Sequence, residues 1–173
     1  SYLEKAFRYA HEADPNALLF YNDYNLESNV IKRNVVINYL NDLRNRGVKV
    51  DGIGLQMHIS LGNPDESQIA GALQQVVANQ YQLHLSEIDI SVNLLNNNPN
   101  PDAATFDRQA NLLAKIAGLY KAIPVQYKYG ITFWGVSDGN SWIRPYYNRQ
   151  DYPLLYDDNY HPKPAYCKLK EVL

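Results

Sequence analysis

The stretch His84–Ser91, HLSEIDIS, decides the fold that the sequence predicts. Apolar and β-branched residues run through it and a polar loop follows it, which is the pattern of a short buried strand. Because side chains alternate across a strand, Glu87 and Asp89 are expected on one face, with Ile88 and Ile90 on the other. Perturbed carboxylates gather at functional sites. The pair therefore indicates a site at the carboxyl end of this strand, the alternative being an exposed polar strand end.

Strands and helices alternate along the rest of the chain. Three more strands are predicted, at Ala17–Tyr21, Val50–Ile59 and Gly130–Val136. Helical spacing of apolar residues predicts helices over residues 2–13, from a cap at Ser28 to Gly47, after a cap at Asn63, over about 102–122 and near the C-terminus. A helix followed by four strand–helix pairs predicts an α/β fold with a parallel sheet and right-handed crossovers. No Gly-rich phosphate loop follows any strand, which disfavours nucleotide binding.

Composition limits the classes of function. The 173 residues suggest one domain, and 16 basic against 18 acidic residues give a net charge of −2 with no basic run, so nucleic acid is not an expected partner. No apolar stretch is long enough for a membrane span, and the N-terminus opens into a helical pattern rather than a signal peptide. Cys167 is the single cysteine, which excludes an internal disulfide. The histidines are not clustered like metal ligands, so no metal or other cofactor is expected.

Polar and aromatic residues collect at all four strand ends, where α/β barrels place their sites. They are Tyr24 and Asn25, Gln56 and His58, Glu87 and Asp89, and Trp134, Asp138 and Trp142. One carboxylate among hydrogen-bonding groups and faced by two tryptophans suits cleavage of a glycosidic bond. The carboxylate attacks the anomeric carbon, polar groups bind sugar hydroxyls, and the rings support the apolar face of the sugar.

Five motifs occur in order and at consistent spacing: Asn22–Asn25, Gly52–His58, Ser86–Ile90, Thr132–Asp138 and Pro153–Asp157. Together they resemble glycoside hydrolase family 10, the retaining endo-β-1,4-xylanases on a (β/α)8 barrel of the TIM type. The resemblance covers nearly the whole chain. It implies that residues 1–173 form a single partial catalytic domain with about four βα units, strands five to eight of the barrel.

The resemblance also implies roles for individual residues. Glu87 would be the catalytic nucleophile, His58 would hydrogen-bond to it, and Asp89 would orient His58. Gln56 would bind the sugar next to the scissile bond, Tyr24 would contact the sugar beyond the cleavage point, and Asn25 would also bind the substrate. Trp134 and Trp142 would line the subsites for sugars on the non-reducing side of the scissile bond.

Each of these residue types also has a purely structural interpretation. A lone histidine is often a buried group with satisfied hydrogen bonds, a lone tryptophan is often core, and Asp138 suits a turn. The joint register of the motifs favours the functional interpretation for the site residues. It does not do so for the late tyrosines, which are expected to pack within loops: Tyr146, Tyr147, Tyr152 and Tyr160.

The sequence departs from the family in one large respect. Retaining hydrolysis needs a second carboxyl group about 5–5.5 Å from the nucleophile. The family carries it in a Trp-Asp-Val-Val-Asn-Glu-like motif, and no such motif occurs in these residues. The chain is therefore expected to be a truncated or proteolytic half of a xylanase and inactive alone, partnered by the N-terminal half of the barrel or self-associating through open sheet edges.

Two alternatives remain open at this point. One is a noncatalytic fragment that binds xylan or xylo-oligosaccharides. The other is a hydrolase in which Asp23 or Glu27 stands in as the acid. Because xylan is a polymer outside the cell, a secreted, periplasmic or cell-surface location is inferred from the substrate.

Overall fold

The computed structural model describes all residues from Ser1 to Leu173. Its five parallel strands are β1 (Phe20–Asp23), β2 (Gly52–Leu55), β3 (His58–Ser60), β4 (Gln82–Ser91) and β5 (Lys128–Phe133). Strand β4 is central: it pairs with β2 along its first half, with β3 along its second half, and with β5 on its other side. Strand β1 pairs with β2, so β1 and β5 form the two edges of an open sheet.

Six α-helices accompany the strands: α1 (Tyr2–Ala13), α2 (Val30–Asn45), α3 (Glu66–Ala78), α4 (Ala103–Lys121), α5 (Ile143–Tyr147) and α6 (Pro164–Val172). Helix α5 lies in a segment that the sequence predicted as loop. Two predicted caps were wrong. The cap of α2 is Asn29 rather than Ser28, and the cap of α3 is Asp65 rather than Asn63. Asp65 forms a reciprocal pair of hydrogen bonds with Gln68, while the backbone of Asn63 pairs with Ser60.

The core lies between one face of the sheet and the helices. Strand residues such as Leu55 and Leu85 are fully buried there, and they belong to the same apolar cluster as Ile69 of α3 and Leu113 of α4. Burial of one such side chain contributes roughly 1.5–3 kcal/mol. This packing holds the strands rigid and therefore holds their carboxyl ends in place. No helix is both long and apolar enough to cross a membrane.

The predicted strand Val50–Ile59 is broken in two. Met57 has a left-handed backbone, with φ of 63°, between β2 and β3. Two residues lie between Leu55 and His58, whereas three lie between their partners Leu85 and Asp89 on β4. The extra residue in β4 changes the register, and it brings two carboxylates of β4 alongside one histidine of β3.

Small residues line the sheet face opposite the core. A Cβ atom at Gly52 would lie 2.0 Å from the ring of Phe20, so only glycine lets that ring cross the strand. The Phe20 ring also lies 4.4 Å from Tyr129 and 6.2 Å from His84, between centroids. This aromatic cluster covers part of the open face near the amino ends of the strands.

Candidate active site

Glu87 is held through both carboxylate oxygens. The amide Nδ2 of Asn22 donates to Oε1 at 2.7 Å, and Nε2 of His58 lies 3.2 Å from Oε2. Its side chain is 14% exposed, so one edge remains open to an incoming group. A carboxylate fixed at two points and still accessible is suited to act as a nucleophile or to bind a cation.

His58 bridges the two carboxylates of β4. Its Nδ1 lies 2.8 Å from Oδ2 of Asp89, while Nε2 faces Glu87. Burial alone lowers the pKa of His58, but hydrogen bonds and negative charges from Asp89 and Glu87 outweigh burial, so its pKa is raised. Since both ring nitrogens face carboxylate oxygens, the doubly protonated imidazolium satisfies both contacts. A cation between the two carboxylates relieves the repulsion between them.

Asp89 connects this group to the loop after β5. It is 1% exposed, and its Oδ2 also accepts a hydrogen bond of 2.7 Å from Nε1 of Trp142. The ring of Trp142 lies 5.3 Å from that of His58, between centroids. The loop that carries Trp142 is therefore tied to the strand that carries Glu87.

The supporting role of Asn22 was missed in the sequence. Asn22 lies in the first motif, yet only its neighbours Tyr24 and Asn25 were selected as site residues. In the structure its Oδ1 accepts a 2.6 Å hydrogen bond from Ser86, so the amide that faces Glu87 has a fixed orientation. A Cβ atom at Gly54 would lie 2.4 Å from that same Oδ1. The sequence offered only the place of Asn22 in the first motif, because its contact with Glu87 depends on the register that places Asn22 beside Gly54.

A cavity of about 630 Å³ opens beside the carboxylates. Of the residues to which the resemblance gives a role, all but Glu87 line it, and Glu87 contacts the lining through His58. Trp134 is half exposed there, with its ring 6.3 Å from that of His58, between centroids. Tyr24 is also half exposed, and the ammonium of Lys32 lies 3.9 Å from the centre of its ring. Exposed rings around polar groups form a surface suited to sugars.

Two of the late tyrosines depart from the expected loop packing. Tyr146 and Tyr147 lie on α5, line the cavity, and have ring centroids 5.3 and 5.7 Å from that of Trp142. Tyr152 and Tyr160 do not line it, and their hydroxyls bond to Pro99 and Asn140. The unpredicted helix α5 is what brings the first two rings to the cavity.

Asp138 does not join the site, although it follows the same strand end as Trp134. It is fully buried and pairs with Lys163 at 2.9 Å, and its Oδ1 accepts a 2.8 Å hydrogen bond from the backbone of Leu154. Burial raises the pKa of Asp138 even though Lys163 opposes the change. The contacts of Asp138 secure the loop that follows β5.

Neither alternative acid lines the cavity. Asp23 accepts from Tyr21 and pairs with Lys32, both at 2.9 Å. Burial alone raises the pKa of Asp23, but these contacts reverse the effect and lower it, which makes Asp23 a poor proton donor. Burial raises the pKa of Glu27, but this side chain is 1% exposed and its Oε2 contacts no hydrogen-bond partner. Glu27 holds a proton more readily than Asp23 but lies enclosed in the protein.

The model of the family described as Glycosyl hydrolase family 10 matches residues 1–172. The chain belongs to glycosyl hydrolase family 10. An endo-1,4-beta-xylanase of Geobacillus stearothermophilus is 36% identical over 180 residues, which cover 99% of this chain and 53% of the relative. Endo-1,4-beta-xylanase A of Cellvibrio japonicus is 37% identical over 186 residues, covering 99% of this chain and 30% of that protein.

Solved structures of family 10 members have the same fold. A thermostable mutant of xylanase Xyn10A from Cellvibrio japonicus superposes with a TM-score of 0.91 at 36% identity, covering 99% of this chain and 53% of that one. A Cellvibrio japonicus xylanase 10C mutant in complex with xylopentaose superposes with a TM-score of 0.92 at 32% identity. The match covers 99% of this chain and 36% of that one. The open parallel sheet is therefore part of the TIM barrel of family 10. The chain spans about half the length of the Geobacillus relative and of the Xyn10A structure.

Proposed function

We propose that this chain is the nucleophile-bearing half of an endo-1,4-β-xylanase that hydrolyses internal bonds of xylan with retention. The observation that carries the proposal is the Glu87 carboxylate, fixed by Asn22 and His58 beside an aromatic-lined cavity. Family membership supports the reaction class, since the family 10 relatives compared above are xylanases.

The reaction assigns one covalent step to these residues. A carboxylate oxygen of Glu87 attacks the anomeric carbon, the bond to the leaving sugar oxygen breaks, and a covalent glycosyl–enzyme forms. The leaving oxygen takes a proton from a second carboxyl group, which then activates the water that releases the sugar. The second group is supplied by the other half of the barrel, because Asp23 is paired with Lys32 and has a lowered pKa, and Glu27 is enclosed in the protein at 1% exposure.

Substrate binding is assigned to the cavity wall. Trp134 and Trp142 support sugars on the non-reducing side, and Gln56 binds the sugar next to the scissile bond. Tyr24 contacts the sugar beyond the cleavage point, and Asn25 also binds the substrate. The xylopentaose bound in the xylanase 10C structure supports a xylo-oligosaccharide as ligand. A polymer of this kind is degraded outside the cell, so we place the parent enzyme there.

The test compares this chain alone with the chain mixed with the N-terminal half-barrel of the Geobacillus relative. The mixture is expected to release reducing ends from xylan, whereas the chain alone is expected to be inactive. Enzyme-like rates from the chain alone would contradict the assignment of the acid to another segment. If the mixture forms a stable complex without activity, Glu87 is not the nucleophile of a shared site.

A noncatalytic sugar-binding role is the second candidate, favoured by the half-exposed ring of Trp134. Both candidates predict binding of xylo-oligosaccharides to the chain. They differ in the complemented barrel. Binding without hydrolysis, together with unchanged binding in Glu87→Ala, would favour the noncatalytic role.

A further inference from the structure

Lys32, in the first turn of α2, lies against the loop that follows β1. Its Nζ donates to the backbone carbonyl of Tyr24 at 2.6 Å and pairs with Oδ2 of Asp23 at 2.9 Å. The same ammonium lies 3.9 Å from the centre of the Tyr24 ring. The Lys32 side chain is 27% exposed, so these contacts are partly shielded from water. One cation therefore contacts the backbone and the ring of Tyr24 as well as the carboxylate that precedes it.

Asp23 fixes the position of this lysine from the end of β1. Oδ1 of Asp23 accepts from the backbone N–H of Tyr24, and Oδ2 accepts from the hydroxyl of Tyr21, both at 2.9 Å. Burial alone raises the pKa of Asp23, but hydrogen bonds from Lys32 and Tyr21 outweigh burial, so its pKa is lowered. Asp23 is therefore ionised at neutral pH and provides a fixed anion for the Lys32 ammonium.

The ring of Tyr24 is the part of this group that a sugar can reach. Tyr24 is 56% exposed and lines the cavity, whereas Lys32 does not line it. The hydrogen bonds of Tyr24 involve its backbone, so its hydroxyl is free. An exposed tyrosine side chain exchanges between rotamers, and a ligand that holds it in one rotamer pays for the lost freedom. A cation that already lies over one face of the ring reduces that loss on binding.

A purely structural ion pair between Lys32 and Asp23 accounts for one of the three contacts. Asp23 is 20% exposed, and ion pairs that water reaches contribute little to stability. The other two contacts of the ammonium both go to Tyr24, at its backbone carbonyl and its ring. The main target of this cation is therefore the residue that faces the cavity.

We propose that Lys32 is a positioning residue, which holds the Tyr24 ring in the orientation that receives the sugar beyond the cleavage point. Lys32 does not touch the substrate and acts through Tyr24. The inference rests on the proposed function, since it concerns how the same cavity binds the leaving part of a xylo-oligosaccharide. The quantity that Lys32 changes is therefore the affinity for the sugar.

The test measures the affinity of the chain for xylopentaose in a double-mutant cycle. Lys32→Met is expected to weaken binding about fivefold, the factor that a cation–π contact at a partly exposed site contributes. In a Tyr24→Ala background, Lys32→Met is expected to have no further effect, because the ring through which Lys32 acts is gone. A lysine that only stabilised the loop would weaken binding equally in both backgrounds.

Further variants separate positioning from folding. Lys32→Arg keeps a cation that can lie over the ring, so it is expected to restore most of the affinity. Lys5→Met removes a positive charge from the exposed face of α1 and should leave the affinity unchanged. Water can replace the lost ion pair at Asp23, so Lys32→Met is expected to fold, and denaturant unfolding checks this. If it does not fold, Lys32→Gln keeps a hydrogen-bond donor beside Asp23 and takes its place in the cycle.

The outcomes distinguish the two proposals. Unchanged binding in folded Lys32→Met, or an equal loss with and without the Tyr24 ring, overturns the positioning role and leaves the proposed function standing. The positioning role is also overturned if Lys32→Arg binds xylopentaose no more tightly than Lys32→Met. Absence of xylopentaose binding by the unaltered chain contradicts the proposed function and the inference together.

Discussion

Two buried acid–base pairs lie at the carboxyl end of this sheet, and they differ in what surrounds them. Asp89 with His58 and Asp138 with Lys163 are each almost fully enclosed on the carboxylate side. His58, however, reaches a second carboxylate, Glu87, and lines the cavity. Lys163 instead donates to the backbone carbonyl of Tyr152 and is 6% exposed.

The comparison shows that burial of a charge pair does not by itself mark a catalytic site. Burial raises the pKa of Asp138 and lowers that of Lys163, so each is less readily charged, and no group of that pair faces the cavity. The pKa of His58 moves in the opposite direction to that expected from burial, because two carboxylates share it. An additional carboxylate and an open edge separate a site suited to chemistry from a loop anchor.

The largest expected effect is on Glu87, the second carboxylate that His58 contacts. In the complemented barrel, Glu87→Ala should reduce cleavage of an activated aryl β-xylobioside on the order of 10⁴-fold or more, because the attacking group is gone. Azide should then restore turnover with inverted configuration, since a small anion fills the vacated space. Product configuration by NMR is the measurement.

Glu66→Ala, an exposed carboxylate on α3, is the matched control and should retain activity. Azide rescue with retained configuration would assign Glu87 the acid/base role instead of the nucleophile role.

The pair of Asp138 and Lys163 is expected to contribute to the free energy of unfolding. Lys163→Met leaves Asp138 buried without its cation, which should lower the free energy of unfolding by about 3–5 kcal/mol. Denaturant unfolding of the chain measures this. The double variant Asp138→Asn with Lys163→Met should regain most of the loss, while Lys170→Met on the exposed face of α6 should change little. Equal stability of Lys163→Met and the unaltered chain would show that the pair does not anchor the loop.

A smaller effect on rate is expected when the hydrogen bond from Asn22 to Glu87 is lost. The side chain added in Gly54→Ala would displace Asn22, and loss of one hydrogen bond to a charged group costs about tenfold in rate. The measurement is aryl xylobioside turnover by the complemented barrel. Gly71→Ala on α3, where an added Cβ meets nothing within 4 Å, is the control. Full activity in Gly54→Ala would show that the hydrogen bond from Asn22 does not contribute to the reaction of Glu87.

The smallest expected effect is a pH dependence of stability. The pKa of His58 is raised in the folded state, so its contribution is fully present below its unfolded pKa and is lost as pH rises through its folded pKa. The difference in unfolding free energy between the unaltered chain and His58→Gln should therefore be larger at pH 6 than at pH 9. A difference that grows with pH would contradict the His58 imidazolium bridge between Asp89 and Glu87.

Most of the fold follows from local patterns, and the exceptions have a common cause. The period of apolar residues predicted every long helix, and the capping residues of α2 and α3 were misplaced by one or two positions. The break at Met57 and the short helix α5 were not predicted, because neither interrupts the hydrophobic pattern that defines a strand or a loop in sequence. Both depend on contacts with segments distant in the chain.

The sequence alone determined the alternation of strands and helices, the family, and which residues lie at the strand ends. The sequence could do so because the alternation of side chains along a strand and the period of a helix depend only on residues that are close in the chain. The tertiary structure decided that Asn22 supports Glu87 across 65 positions of the chain, that His58 spans both carboxylates, and that Asp138 belongs to a loop anchor. These facts depend on the register between strands and on burial, and both are set only when distant segments pack together.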